Sequence, residues 1–253
     1  MSIGYPRIMV APNGGRKTKE DHPAIPLTIE ELLICATDCH AAGADAIHAH
    51  MRDENGEHVL DVGMYREFTS ELSIRAPQMA IQATTEAIGR YTAEQQRAFV
   101  KELQPTMVSA SIKEICSQGE ESQIKEFYHW AKDSNVNIQH ILYSPAEVSF
   151  LETLQNRTII PKGKLNMLFV LGRYSDGVPS DPDAINLFLE AAARNAHWMI
   201  CAFGKSETDC LATAYQMGGT IRVGFENNVL NSDGSVAKDN CERVRNIMSA
   251  ISA

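Results

Sequence analysis

The sequence predicts an α/β fold, a (β/α)8 TIM barrel that residues 1–253 form as a single domain. Two observations favour this fold. The chain has 253 residues, of which 44% are hydrophobic, and α/β barrels of this size commonly form one domain around one core. Eight short apolar segments alternate with helical patterns, and no linker or low-complexity segment divides them. A doubly wound open sheet shows the same alternation and is the competing architecture.

The predicted strands are short runs rich in residues that favour β-structure. If they close into a barrel, their carboxyl ends carry the active site, because functional residues gather on that face. The eight runs cover residues 7–11, 45–50, 79–84, 107–111, 137–143, 165–171, 197–202 and 220–225.

Helix starts and stops are recognisable between these strands. Two starts fit a capping box, in which the cap hydroxyl and the third side chain satisfy free backbone amides: Thr28 with Glu31, and Thr92 with Gln95. Asp181 followed by Pro182 predicts a further start, since proline suits the first helical turn. Gly43 and Gly218 follow helical stretches and can adopt the left-handed conformation that ends a helix.

Composition excludes several classes of protein. A net charge of −9 and a pI near 5.4 argue against a surface that binds nucleic acid or anionic membrane. Six cysteines at scattered spacings, without a CxxC pair, are expected to be reduced thiols. The N-terminus lacks a secretory pattern and no segment approaches the roughly 18 apolar residues of a membrane span, so we expect a cytoplasmic protein. No Walker or Rossmann glycine fingerprint supports nucleotide hydrolysis or dinucleotide redox chemistry.

His48 and His50 close the second predicted strand. Alternate residues of a strand point to the same side, so both imidazoles can bind one metal ion. Two histidines can equally be satisfied by backbone carbonyls, and the pair alone does not decide between these interpretations.

Arg222 and Glu226 share the polar side of the eighth predicted strand. In a barrel the eighth strand neighbours the first and the second lies just beyond, so Glu226 can reach a metal bound by the histidine pair. Two imidazoles and a carboxylate with an open position suit Zn²⁺ as a Lewis acid, and accept other divalent ions. An ion pair at the rim without a catalytic role is the alternative interpretation. Arg52 follows on the side of His50, where it can add positive charge and is a candidate for binding the substrate.

Three segments occur in order along the chain: Ala-Pro-Asn-Gly-Gly-Arg-Lys-Thr-Lys at 11–19, Ala-Gly-Ala at 42–44 leading to His-Ala-His-Met-Arg-Asp at 48–53, and Arg-Val-Gly-Phe-Glu-Asn-Asn at 222–228. Together they resemble the β-keto acid cleavage enzymes, over nearly the whole chain. The resemblance implies a zinc-dependent TIM barrel in which His48, His50 and Glu226 hold the metal. It also implies that a β-keto acid and acetyl-CoA give acetoacetate and a new acyl-CoA, and that the protein is a homo-oligomer, a tetramer or a dimer.

The chain departs from the family pattern at the expected acid/base pair. The family has an aspartate after the zinc glutamate, thought to work with the arginine that corresponds to Arg222, whereas this chain has Asn227. An amide cannot accept a proton at neutral pH, although it can orient Arg222 by hydrogen bonding. The resemblance therefore gives Arg222 and Asn227 catalytic positions and leaves the base open, with Glu86 and Asp53 as candidates.

Substrate contacts are implied at three elements. Thr84 and Ser109 match hydroxyl positions of the family, and Thr85 and Glu86 replace its two glycines after the third strand. Arg16 stands where family members that act on an aminated keto acid carry glutamate, and a guanidinium favours a carboxylate. The sequence thus predicts an acidic β-keto acid, the alternative being that Arg16 faces solvent or the phosphates of CoA.

CoA phosphates are the expected partners of Lys205 and Arg173, which follow the seventh and sixth predicted strands. Two other functions fit the same residues. One is a metal-dependent aldolase or hydrolase that needs no CoA, and the other is a catalytically weak paralogue that binds a keto acid as a sensor or carrier.

Overall fold

A computed structural model describes residues 5–172, 179–192 and 196–252. Its eight parallel strands form a closed barrel in chain order, with β8 paired to β1. The predicted TIM barrel is confirmed, and the open sheet is excluded because the first and last strands pair. The strands are β1 Ile8–Val10, β2 Ala46–His48, β3 Ala80–Thr84, β4 Met107–Ser111, β5 Asn137–Leu142, β6 Leu165–Leu171, β7 Ala196–Ala202 and β8 Thr220–Val223.

Helices of the outer layer separate the strands. Within the described residues they are α1 Ile29–Ala41, α2 Val62–Arg75, α3 Ala93–Leu103, α4 Ile112–Ile115, α5 Glu121–Asp133, α6 Pro145–Asn156, α7 Ala184–Ala191, α8 Glu207–Gln216 and α9 Asn240–Ser252.

The predicted helix ends are confirmed at four of five positions. Both capping boxes form, and the two glycines have positive φ, 113° at Gly43 and 86° at Gly218. The predicted start at Asp181 is wrong by two residues, because the N-cap of α7 is Asp183 and the helix begins at Ala184. Asp181 instead accepts the amide of Asp183 at 2.9 Å, which forms a separate turn before the helix.

Two predicted strands end two residues earlier than the sequence suggests, at the edge that carries the histidine pair and the glutamate. β2 stops at His48 and β8 at Val223. Beyond β2, the side chain of Asn13 replaces the neighbouring strand, because its Oδ1 accepts the amide of His50 at 3.2 Å. Beyond β8, the amide of Glu226 bonds to the carbonyl of Ala11 at 3.0 Å. Both residues thus extend from the barrel rim on fixed backbone.

The largest core lies between barrel and helices, and a smaller cluster fills the barrel interior, as is usual for this fold. Polar side chains join that interior layer: Gln82 and Gln139 are each 1% exposed. All six cysteines are free thiols. None of the helices in the described part of the chain is long and apolar enough to cross a membrane.

His140 makes the fold sensitive to acid. This β5 residue is buried against the ring of Tyr128, with its Nδ1 3.2 Å from the carbonyl oxygen of Asn166. Burial lowers the pKa of His140 from 6.5 to about 4. Between those pH values the unfolded chain binds a proton that the folded chain does not, so stability falls as pH falls through this window. Between pH 7 and pH 4, we expect the free energy of unfolding to fall by up to about 3 kcal/mol less in His140→Gln than in the unmutated protein. Urea unfolding at the two pH values measures this difference. The same pH dependence in both proteins would contradict this assignment.

Candidate active site

Three side chains converge at the carboxyl end of the barrel. The Nε2 atoms of His48 and His50 lie 3.0 Å apart. Oε2 of Glu226 lies 3.6 Å from the first and 3.9 Å from the second. One ligand atom from each residue lies within 4.8 Å of the others, and among the described residues this is the one group with that geometry. The structure brings Glu226 next to the histidine pair, as closure of the barrel predicts.

These residues fit a divalent metal ion. The Oε2 atom of Glu226 is buried without a hydrogen-bond partner, an arrangement that costs free energy unless a cation or donor faces it. Burial lowers the pKa of both histidines well below the usual value, with a further contribution from neighbouring positive charge. Both imidazoles are therefore neutral at physiological pH, as metal ligands must be.

The backbone of the first loop shapes this group. Gly14 has a φ of +59°, and a Cβ there would lie 2.7 Å from Cγ of Glu226. A Cβ at Gly15 would lie 2.7 Å from Oε2 of Glu86. The loop after β1 therefore packs directly against two carboxylates, and only glycine allows that approach at position 14.

Arg222 supplies the positive charge beside this group. It is 3% exposed, and its Nη2 donates to Oε1 of Glu226 at 3.0 Å and to Sγ of Cys201 at 3.8 Å. Its Nε and Nη1 are buried without a hydrogen-bond partner. Two donors therefore remain for a bound molecule. Asn227 is fully buried, and its backbone amide donates to the carbonyl of Gly224 at 2.9 Å. The hydrogen bond from Arg222 to Glu226 orients the guanidinium.

Glu86 is the second carboxylate of the site. Its Oε2 lies 3.5 Å from Nδ1 of His50. Burial raises the pKa of Glu86 to about 7, with further contributions from Glu226 and Glu114. Asp53, the other candidate base, accepts the amides of the turn that follows it at 2.9 Å each, so it shapes that turn. Of the two candidates, Glu86 is the one at the histidine pair.

The hydroxyl residues cluster beside Glu86. Thr84 accepts the amide of Glu86 at 3.1 Å, and Thr85 donates to the carbonyl of Ser109 at 3.1 Å. Oγ of Ser109 is buried without a hydrogen-bond partner. Ser109 therefore has a hydroxyl that is available to a ligand.

The four remaining cationic residues differ in position. Arg52 is turned into the first loop, where it donates to the carbonyls of Gly14 and, at 3.0 Å, of Lys17; it therefore braces the loop wall. Arg16 is exposed on that loop. It is close enough to Glu86 for its positive charge to oppose the rise in the pKa of that carboxyl. Lys205 is exposed just after β7. Arg173 lies outside the described residues.

Two buried residues that support the histidines were not singled out from the sequence. Oε1 of Gln82 lies 2.9 Å from Nδ1 of His48. The side chain of Asn13 donates to the carbonyl of His50 at 2.8 Å, in addition to accepting its amide. A glutamine inside an apolar strand is the signal that could have found Gln82, because buried polar groups require partners.

Two known proteins are similar to this chain over most of its length. The chain is 28% identical to a 3-keto-5-aminohexanoate cleavage enzyme of Fusobacterium nucleatum, covering 93% of this chain and 87% of that protein. It is 22% identical to a 3-oxoadipate:acetyl-CoA acetyltransferase of Cupriavidus necator, covering 95% and 86% respectively.

Solved structures agree on the fold. A binary complex of ObcA with oxaloacetate superposes with a TM-score of 0.67 at 16% identity, over 90% of this chain and 63% of ObcA. This chain thus spans less than two thirds of that protein. The family described as beta-keto acid cleavage enzyme matches residues 7–253. The chain belongs to the family of beta-keto acid cleavage enzymes and is an enzyme of this carbon–carbon-cleaving, acyl-transferring type.

Proposed function

We propose that the protein is a zinc-dependent enzyme that transfers the acyl group of an acidic β-keto acid to CoA. In this reaction R–CO–CH₂–COO⁻ and acetyl-CoA give R–CO–CoA and acetoacetate. The bond between C2 and C3 of the keto acid and the thioester bond break, and the acetyl group joins C2 while RCO joins sulfur. The convergence of His48, His50 and Glu226 beside Arg222 is the observation that carries the proposal.

His48, His50 and Glu226 would hold the metal. When bound, zinc supplies Lewis-acid polarisation of the keto acid's oxygen atoms, which makes C2 more acidic. The two unpaired donors of Arg222 are buried, and buried donors of this kind can stabilise negative charge that develops on a nearby carbonyl oxygen. Oγ of Ser109 offers a further hydrogen bond to the substrate.

Glu86 is proposed to accept the C2 proton. Residue 227 is an amide and Asp53 lies in a turn, whereas the Glu86 carboxylate is directed toward His50. Thr84 holds the backbone of Glu86 through its amide. The chain thus places a carboxylate in the site although position 227 has none.

Arg16 is proposed to select an acidic substrate. It is exposed beside Glu86, and a guanidinium there can pair with a carboxylate at the far end of the keto acid. The relative from Cupriavidus necator has a name that specifies 3-oxoadipate, which is a dicarboxylic β-keto acid. Lys205, on the same face of the barrel, is proposed to contact the phosphates of CoA.

The test combines metal analysis with an acetoacetate assay. Purified protein should contain about one zinc per chain, and should form acetoacetate from 3-oxoadipate only when acetyl-CoA is present. A product that forms without acetyl-CoA would support the aldolase or hydrolase alternative. Protein without zinc, and without acetoacetate formation across a panel of β-keto acids, would overturn the proposal.

Replacing Arg16 with glutamine is expected to lower kcat/KM for 3-oxoadipate by about 10-fold, because a charge-assisted hydrogen bond to the distal carboxylate is lost. A β-keto acid with a neutral tail should be affected much less. The matched control is Lys19→Gln, since Lys19 is an exposed cation on the same loop that pairs with Glu31 at 2.8 Å. Equal losses for acidic and neutral substrates would rule out this role of Arg16.

Glu86→Gln is expected to lower kcat by about 10²-fold, the lower end of what general-base catalysis contributes, because the amide cannot accept the C2 proton. Zinc content should not change, since Glu86 lies outside the group that would hold the metal and glutamine keeps an oxygen atom beside Nδ1 of His50. Steady-state rates and metal analysis on the same preparation check both statements. An unchanged kcat in this variant would show that another residue accepts the proton.

A further inference from the structure

A row of buried amides runs through the barrel interior from His48. Oε1 of Gln82 on β3 lies 2.9 Å from Nδ1 of His48, and Nε2 of Gln82 donates to Oε1 of Gln139 on β5 at 3.0 Å. Nε2 of Gln139 in turn donates to the hydroxyl of Tyr5 and, at 3.6 Å, to Sδ of Met199. The histidine and both glutamines are 1% exposed, so no bulk water competes for these bonds.

Met199 sets the direction of this row. A side-chain amide is a donor at one end and an acceptor at the other, so a row of amides can run in either of two directions. A thioether sulfur only accepts, which requires the nitrogen end of Gln139 to face Met199. The oxygen end of Gln139 then faces Gln82, which turns its own nitrogen to that oxygen. The oxygen of Gln82 is left to face His48.

We propose that Gln82 and Gln139 are positioning residues that keep the proton of neutral His48 on Nδ1. Nδ1–H donates to Gln82, and the lone pair of Nε2 is directed at the group formed with His50 and Glu226. The inference rests on the proposed metal site, because a lone pair on Nε2 is what a metal ligand requires.

The spacing of the histidines shows why the proton must be controlled. With only 3.0 Å between the two Nε2 atoms, a proton on Nε2 of His48 would be donated to His50. That hydrogen bond would close the position between the ligands and would have to break before a metal could bind. If the amide row ran in the reversed direction, Gln82 would donate to Nδ1 of His48. The proton of the neutral ring would then lie on Nε2, where it would form the hydrogen bond to His50.

The proton position can be measured without a metal. In metal-free protein labelled with ¹⁵N-histidine, long-range ¹H–¹⁵N correlations near pH 7.5 should show His48 protonated on Nδ1, with the signal assigned by its loss in His48→Asn. In Gln82→Leu, and in Gln139→Leu, a second form protonated on Nε2 should appear. Gln82→Glu, which still offers an acceptor to Nδ1–H, should retain the first form.

Zinc affinity supplies the second measurement. By calorimetry, Gln82→Leu should bind Zn²⁺ about 10- to 100-fold more weakly than the original protein, as is typical when the partner of a ligand histidine is removed. The matched control is Gln155→Leu on α6, which removes an amide that bonds to backbone carbonyls outside the barrel interior. It should bind Zn²⁺ with unchanged affinity.

The outcomes separate this inference from the proposed function. An unmutated protein that carries its His48 proton on Nε2, or a Gln82→Leu variant with unchanged zinc affinity, overturns the role of the amides. A protein with the proton on Nδ1 that binds no zinc overturns the metal site and leaves the amide row correct. If Gln82→Leu fails to fold, the spectrum of the unmutated protein and of Gln139→Leu still decides.

Discussion

Replacing Glu226 with glutamine should remove bound zinc and lower kcat/KM by about 10³-fold or more. Loss of Lewis-acid stabilisation costs several kcal/mol of transition-state binding, and each 1.4 kcal/mol corresponds to about tenfold in rate. The variant also loses the carboxylate that orients Arg222 through Nη2. Both effects weaken the stabilisation of the transition state, so kcat should fall more than KM rises.

The control for this prediction is Glu126→Gln. Glu126 is 72% exposed and pairs with Lys101 at 2.9 Å on the helix layer, so zinc content and turnover should be unchanged. A thermal unfolding curve of each variant shows whether the fold is intact. If Glu226→Gln retains a full complement of zinc and normal turnover, the metal is not held where we propose.

Replacing Glu207 with alanine should lower the free energy of unfolding by about 3–5 kcal/mol, the usual cost of removing one partner of a buried ion pair. Glu207 is 0% exposed, and its Oε2 lies 2.5 Å from Nη2 of Arg243, which is 1% exposed. Its Oε1 also accepts the amide of Gly224 at 3.3 Å. The variant leaves the buried guanidinium of Arg243 without its counterion. It also leaves the backbone amide of Gly224, two residues before Glu226, without its hydrogen-bond acceptor. Urea unfolding at pH 7 measures the loss.

An exposed pair provides the comparison. Glu121 and Arg157 form an ion pair of 2.6 Å, but their side chains are 54% and 55% exposed. Glu121→Ala should therefore change stability by less than about 1 kcal/mol, because solvent screens the pair. Equal losses in the two variants would show that burial of Arg243 does not set the cost.

The parts of the site that follow strand periodicity could be predicted from the sequence. His48 and His50 are two residues apart on a predicted strand, which predicts that they share a side; β2 ends at His48, but the hydrogen bond from the His50 amide to Asn13 continues the pairing, and both imidazoles do share a side. Barrel closure then brings Glu226 within reach of both.

The contacts that depend on loop conformation could not be predicted. Arg52 shares the parity of His50 and was assigned to substrate, yet the chain turns at Asp53 and directs its guanidinium back to the carbonyl of Gly14. The pairing of Gln82 with His48 depends on the register of β3 against β2, and periodicity within one strand does not determine register.

Arg52 holds the first loop, in which a residue packed against Glu226 and an exposed residue lie two positions apart. Gly14 must remain a glycine for Glu226 to keep its place, and its carbonyl is held by Arg52. Arg16 is exposed, so its side chain can be exchanged without disturbing either. If Arg16 selects the substrate as proposed, substrate range can diverge by mutation at position 16 while the three residues of the candidate metal site stay fixed, and new specificities can then evolve at little cost in stability.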